Sequence, residues 1–196
     1  MQGLDEWIPT ELKSEYINQL LRVGFDTIDF GSFVSPKAIP QLRDTAEVLS
    51  RLDLSQTRSK LLAIVANTRG ANDALNFDQI DVLGYPFSIS ETFQKRNTNA
   101  TIEESMKYVE EMQSLCLSKN KTLLIYISMA FGNPYGDAWS ADLAASWMEK
   151  LNSNIGINHF ALADTVGQST DLVIKDIFST VMPAFPNCSI AAHLHS

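Results

Sequence analysis

The stretch Thr122-Leu123-Leu124-Ile125-Tyr126-Ile127-Ser128 decides the fold class. Its apolar residues follow one another instead of alternating with polar ones, so both faces of the strand need cover, the condition of a parallel sheet with helices packed on it. Upstream, Thr101-Ile102-Glu103-Glu104 fits a capping box and predicts a helix burying Ile102, Met106, Val109, Met112 and Leu115. Downstream, Ser140 opens a helix through Leu143, Ala144, Trp147 and Leu151. A strand over 159–162, a helix over 170–182 and a last strand over 189–195 follow.

The same alternation runs back to the start. A helix over 10–23, capped by Thr10 and ended by Gly24, is expected to bury Leu12, Tyr16, Ile17, Leu20 and Leu21. Strands over 27–31, 61–66 and 80–85 then alternate with helices over 43–52 and 71–76. Strict β/α alternation makes the class α/β with a parallel sheet. An open doubly wound sheet and a (β/α)8 TIM barrel both fit; no G-x-G-x-x-G follows the first strand to favour a dinucleotide fold, and a barrel needs further strands.

At 196 residues and 45% hydrophobic content, a single domain over 1–196 is expected. The net charge of −8 argues against nucleic acid or an anionic membrane as partner. Cys116 and Cys188 are the only cysteines and form no C-x-x-C, which favours a reducing compartment. No run approaches the ~20 apolar residues of a membrane span, and the start has no signal-peptide pattern, so a cytoplasmic location, or a mitochondrial matrix or other organelle lumen, is expected.

Polar and turn-forming residues gather just after the strands: Asp29 to Lys37, Asn67 to Gly70, Tyr85 to Lys95, Ser128 to Asp137, Asp164 to Gly167, and His193 with His195. Parallel α/β folds build their sites at that end of the sheet. His193 and His195 are two apart on a strand, hence on one side, and read either as a metal-ligand pair or as polar strand-end residues.

Ser32-Phe33-Val34-Ser35-Pro36-Lys37, with Pro40-Gln41 and Asp44 to Leu49 behind it, resembles the segment after the second barrel strand of hydroxymethylglutaryl-CoA lyases. The resemblance continues in order through Asn67, Glu91-Thr92-Phe93, Lys95-Arg96-Asn97, Gly132-Asn133-Pro134-Tyr135, Ala163-Asp164-Thr165-Val166-Gly167 and the H-x-H. It implies a (β/α)8 barrel, with its first and last strands missing from this chain, and a carbon–carbon lyase. That enzyme cleaves a 3-hydroxy-3-methylglutaryl thioester by a retro-aldol (reverse Claisen) reaction to acetyl-CoA and acetoacetate.

The resemblance also implies the site. His193 and His195 would hold Mg²⁺ or Mn²⁺, with Asp29 and His193 catalytic. Gln2, Ser32, Asn67 and Thr165 would meet an acyl-CoA substrate, Asp164 would order the site, and Lys37, Lys95 and Arg96 would meet the CoA phosphates. The family's Pro-Arg-Asp run and its Gly-rich loop with a catalytic Cys have no counterpart here. Where the family carries Glu, this chain has the shorter Asp29, and Ala163 stands at a usual Gly. Little activity is therefore expected of this polypeptide alone. A condensing relative of the isopropylmalate or homocitrate synthase type, and a non-catalytic fragment binding an acyl-CoA or a partner, remain as alternatives, and a homo-oligomer is left open.

Overall fold

The computed structural model describes residues 3–195; Gln2, expected to touch substrate, lies outside them. The elements run α1 (Thr10–Leu21), β1 (Thr27–Ser32), a 3-10 turn (Pro40–Leu42), α2 (Thr45–Ser50), β2 (Lys60–Ile64), α3 (Thr68–Ala74), β3 (Val82–Ser88), α4 (Glu91–Thr98) and α5 (Ile102–Ser118). They continue through β4 (Thr122–Ser128), α6 (Ala141–Ile155), β5 (His159–Asp164), α7 (Asp171–Ala184) and β6 (Ser189–Leu194). The strand order in the sheet is β1-β2-β3-β4-β5-β6. A doubly wound sheet reverses its order in the middle; this one does not. Two compact units divide the chain, Met1–Leu83 and Gly84–Ser196.

In the first unit, β1 pairs parallel with β2, with Asp29 opposite Leu62 and Gly31 opposite Ala63, so that Phe30 is an extra residue in the register. Ser32 then falls opposite Ile64. Leu62 and Ile64 are two apart and share one face of β2, so by this register Asp29 and Ser32 also share a face although they are three apart. Gly31 lies tight under α2: a Cβ there would come within 2.7 Å of Thr45 Cγ2.

Helix α1 is rotated from the expected stripe. It buries Lys13, Ser14, Ile17 and Leu21, whereas Leu12 and Tyr16 are 54% and 51% exposed. Lys13 turns inward because its ammonium meets Asp44 Oδ1 at 2.8 Å, the Gln41 carbonyl and the face of Trp7 at 3.7 Å. Thr10 does not cap: Pro9 stands at that position, and the Thr10 hydroxyl donates to Asp44 Oδ2 at 2.7 Å. The helix expected over 43–52 is shorter, its first residues forming the end of the 3-10 turn and the link to α2.

In the second unit, β4 pairs parallel with β5 and β5 with β6. Leu123, Ile125, Tyr126 and Ile127 of β4 are buried, as two covered faces require. The capping box forms: Glu104 N–H donates to Thr101 Oγ1 at 3.0 Å and Thr101 N–H to the Glu104 carboxylate at 2.8 Å. Ile102, Val109 and Met112 are buried with Ser105 and Cys116, while Met106 and Leu115 are half-buried at the flanks. In α6 the buried residues are Ala141, Ala144, Met148 and Leu151; Leu143 and Trp147 are half-buried beside them. Helix α4 was not expected, because Glu91-Thr92-Phe93-Gln94-Lys95-Arg96-Asn97-Thr98 carries no apolar stripe. Polar anchors hold it instead. The fully buried Gln94 accepts from Ser88 N–H at 2.6 Å and donates to Thr98 and Ser105 hydroxyls at 2.8 and 2.7 Å.

Candidate functional site

The second unit carries the paired histidines. The β5–β6 register sets His193 beside Ala163 and Leu194 beside Asp164, at the C-terminal ends of both strands. Alternation brings His195 round to the side of His193, and the two Nε2 atoms lie 3.0 Å apart. The Tyr126 ring meets His193 edge-on at 5.0 Å, fixing the plane of that imidazole. Partial burial, and then the charge of His195, hold the His193 pKa below its usual value. A neutral imidazole is the form that ligates metals.

These residues fit one part of a metal site. Their Nε2 atoms, 3.0 Å apart, are close enough that both could serve one divalent ion, as two imidazole ligands of a larger set. Among the described residues no group of three or more His, Cys, Asp or Glu side chains is placed to hold an ion. Asp164 is buried and occupied, its carboxylate accepting from Gln168 N–H at 2.9 Å and Ser169 N–H at 2.8 Å. Burial works against its charge, but the hydroxyl and amide of Ser169, the Gln168 amide and the field of His195 outweigh it and lower the pKa. Asp164 thus shapes the turn after β5. Thr165 Oγ1 accepts from Met129 N–H at 3.1 Å, which ties that turn to the loop after β4.

That loop is strongly cross-braced. Asn133 Oδ1 accepts from the amides of Tyr135 and Asp137 at 3.0 and 3.1 Å, and its Nδ2 donates to the Asp137 carbonyl at 2.8 Å. The Asp137 carboxylate accepts from the Ser90 hydroxyl at 2.5 Å and from both the amide and the hydroxyl of Thr92 at 3.0 Å. These bonds, Ser90 first, hold its carboxyl below the usual range. Tyr135 stacks on Phe93 and lies under the Arg96 guanidinium, 4.7 Å from the ring centre. Sequence reading missed Asp137, because its partners lie 45 and 47 residues away.

In the first unit, Ser32 and Asn67 line one cavity of about 270 Å³ together with Arg43, Thr45, Arg69 and Asp73. Both polar residues also serve the backbone: Ser32 Oγ accepts from Val34 N–H at 3.2 Å, and Asn67 Oδ1 caps α3 through Gly70 N–H at 2.9 Å. Gly70 permits this close turn, since a Cβ there would run into the Phe33 carbonyl. Asp29 is open to solvent at its edge, yet desolvation pushes its carboxyl up to about 6 against the pull of the Gly31 amide.

Of the cations expected to meet phosphates, Lys37 is exposed, Lys95 pairs with Glu91 at 3.0 Å and Arg96 rests on Tyr135. Neither cysteine stands at the strand ends: Cys116 is buried in α5 with its thiol pushed up to about 12, and Cys188 precedes β6.

The HMGL-like family model matches residues 1–196. Hydroxymethylglutaryl-CoA lyase YngG of Bacillus subtilis is 32% identical over 195 residues, covering 100% of this chain and 64% of that protein. The cytoplasmic 3-hydroxy-3-methylglutaryl-CoA lyase of Rattus norvegicus is 33% identical, with 96% and 54% covered. Among solved structures, an HMG-CoA lyase from Acinetobacter baumannii in complex with coenzyme A and 3-methylmalate superposes with a TM-score of 0.91 at 30% identity, over 99% of this chain and 62% of that one. The fold is therefore that of the HMG-CoA lyase TIM barrels, and the chain spans about three-fifths of the length of these relatives. Strand order, the polar turns at the strand ends and full-length similarity agree: this chain belongs to the HMGL-like family.

Proposed function

We propose that this chain is the greater part of a single-domain lyase acting on a 3-hydroxy-3-methylglutaryl-type acyl-CoA thioester. The observation that carries the reading is the convergence of the His193 and His195 Nε2 atoms at the end of β6 in a chain matched throughout to HMG-CoA lyases. The coenzyme A complex of a 30% identical relative supports the substrate class.

His193 and His195 are the residues to hold a divalent ion, Mg²⁺ or Mn²⁺, which when bound supplies Lewis acidity to substrate oxygens. Asp29, with its carboxyl near 6, is suited to take the proton of the substrate hydroxyl and return it near neutral pH. As that O–H bond breaks, the carbinol becomes the ketone of acetoacetate. The adjacent carbon–carbon bond breaks with it, and its electron pair passes to the thioester enolate, which takes up a proton to give acetyl-CoA. Ser32, Asn67 and Thr165, at or just after strand ends, are the proposed hydrogen-bonding groups for the acyl part, and Lys37 in the loop after β1 and Arg96 on α4 the proposed cations for the CoA phosphates.

The test is acetoacetate release from 3-hydroxy-3-methylglutaryl-CoA by the polypeptide as the cell makes it, beside its His193→Ala and His195→Ala variants. Each variant is expected to lose about a hundredfold or more in kcat/KM. Variants as active as the wild type would remove the histidine pair from the reaction.

A further inference from the structure

We propose that Asp137 is a positioning residue that latches the β4–α6 loop onto the start of α4, so that this wall of the strand-end face is built in advance and does not close over a ligand. The proposal rests on the geometry of the second unit alone and stands apart from the lyase reading. A carboxylate has two oxygens with room for about four donors, and here three donors from α4 and its cap occupy both oxygens. Two of these, the Ser90 hydroxyl and the Thr92 amide, belong to the end of the helix where a negative charge is favoured.

Both sides of the latch are firmly held. On the helix side, Ser90 is fully buried, its oxygen also accepts from Phe93 N–H at 3.1 Å, and its own amide donates to Ser88 Oγ at 3.0 Å. Ser88 Oγ in turn donates to the carbonyl of Ser128, the last residue of β4, at 3.2 Å. On the loop side, Asn133 folds the main chain from Tyr135 to Asp137 around one amide oxygen. The loop needs such restraint, because Met129 sits at φ 63°, a conformation a methionine rarely adopts, and Gly132 at φ 131°. The polar path from Ser128 through Ser88, Ser90 and Asp137 to Asn133 is closed by the main chain of residues 128–133, and the Tyr135 ring adds contacts to Phe93 and Arg96 of α4.

Hydrogen exchange followed by mass spectrometry on the wild type and on Asp137→Ala, Asp137→Asn, Ser90→Ala and Ser90→Ala/Asp137→Ala tests the latch. Loss of the carboxylate should speed exchange about tenfold at Thr92 and over residues 132–139, with α6 and β5 unchanged; Asp137→Asn, keeping one acceptor oxygen, should fall between. The double variant should be little worse than Asp137→Ala, because both changes cut one connection. Unchanged exchange in the loop, acceleration spread evenly over α6 and β5, or additive effects of Ser90→Ala and Asp137→Ala would each overturn the proposal. Should the alanine variants fail to fold, Asp137→Asn read in the same way decides between these outcomes.

Discussion

Asp29 and His193 are both desolvated, and desolvation raises an acid while it lowers a base. For Asp29 the folded value, about 6, lies above the ordinary 3.8, so the fold disfavours its charge. That cost begins as pH climbs past the unfolded value and is complete above the folded one. Asp29→Asn should therefore raise the melting temperature at pH 7.5, with the gain shrinking towards pH 4; a gain equal at both, read by circular dichroism, would contradict the shift. For His193 the sign is opposite: the unfolded chain takes the proton first as pH falls below the ordinary 6.5, so stability from the neutral ring is present above that value and lost beneath it. The same neutrality governs metal uptake. Among the described residues no carboxylate joins the two imidazoles, and such a pair suits later transition metals, so calorimetry should show Zn²⁺, Ni²⁺ or Cu²⁺ binding more tightly than Mg²⁺, weakening towards pH 5 and abolished by His193→Ala or His195→Ala. Equal binding by all three proteins would take the metal elsewhere. The histidine pair was legible because strand alternation is a local rule, whereas Asp137 depends on a fold-made meeting with Ser90, 47 residues away.

At the scale of elements, β4 and the capped helix α5 were readable from pattern alone, since continuous apolar runs and capping boxes are local signals. Helix α1 was not. A lysine is assigned to solvent by default, and nothing near Lys13 in sequence announces Asp44, 31 residues on. Its ammonium, at 1% side-chain exposure against 9% for Asp44, makes one buried ion pair. Breaking such a pair leaves a buried charge, so Lys13→Ala should cost about 3–5 kcal/mol in urea unfolding. The double replacement Lys13→Met/Asp44→Leu should recover most of that loss. A single-variant cost under about 1 kcal/mol would mean that the pair is solvated like a surface one. Helix α4 escaped for the converse reason: its stabilising contacts are hydrogen bonds through Gln94 and Asp137, which leave no hydrophobic period to detect.

For the whole molecule, strand order and family were legible in the alternation of elements and the strand-end motifs, while the register shift in β1 was not, because it depends on how β1 meets β2. The extra residue at Phe30 has a genetic corollary. Since Asp29 and Ser32 share a face at a spacing of three only because Phe30 goes uncounted in the register, loss of the single codon for Phe30 would leave them two apart on a regular strand and still side by side. What that deletion would take away is the buried Phe30 ring, a lesion of packing that leaves the register of the site intact.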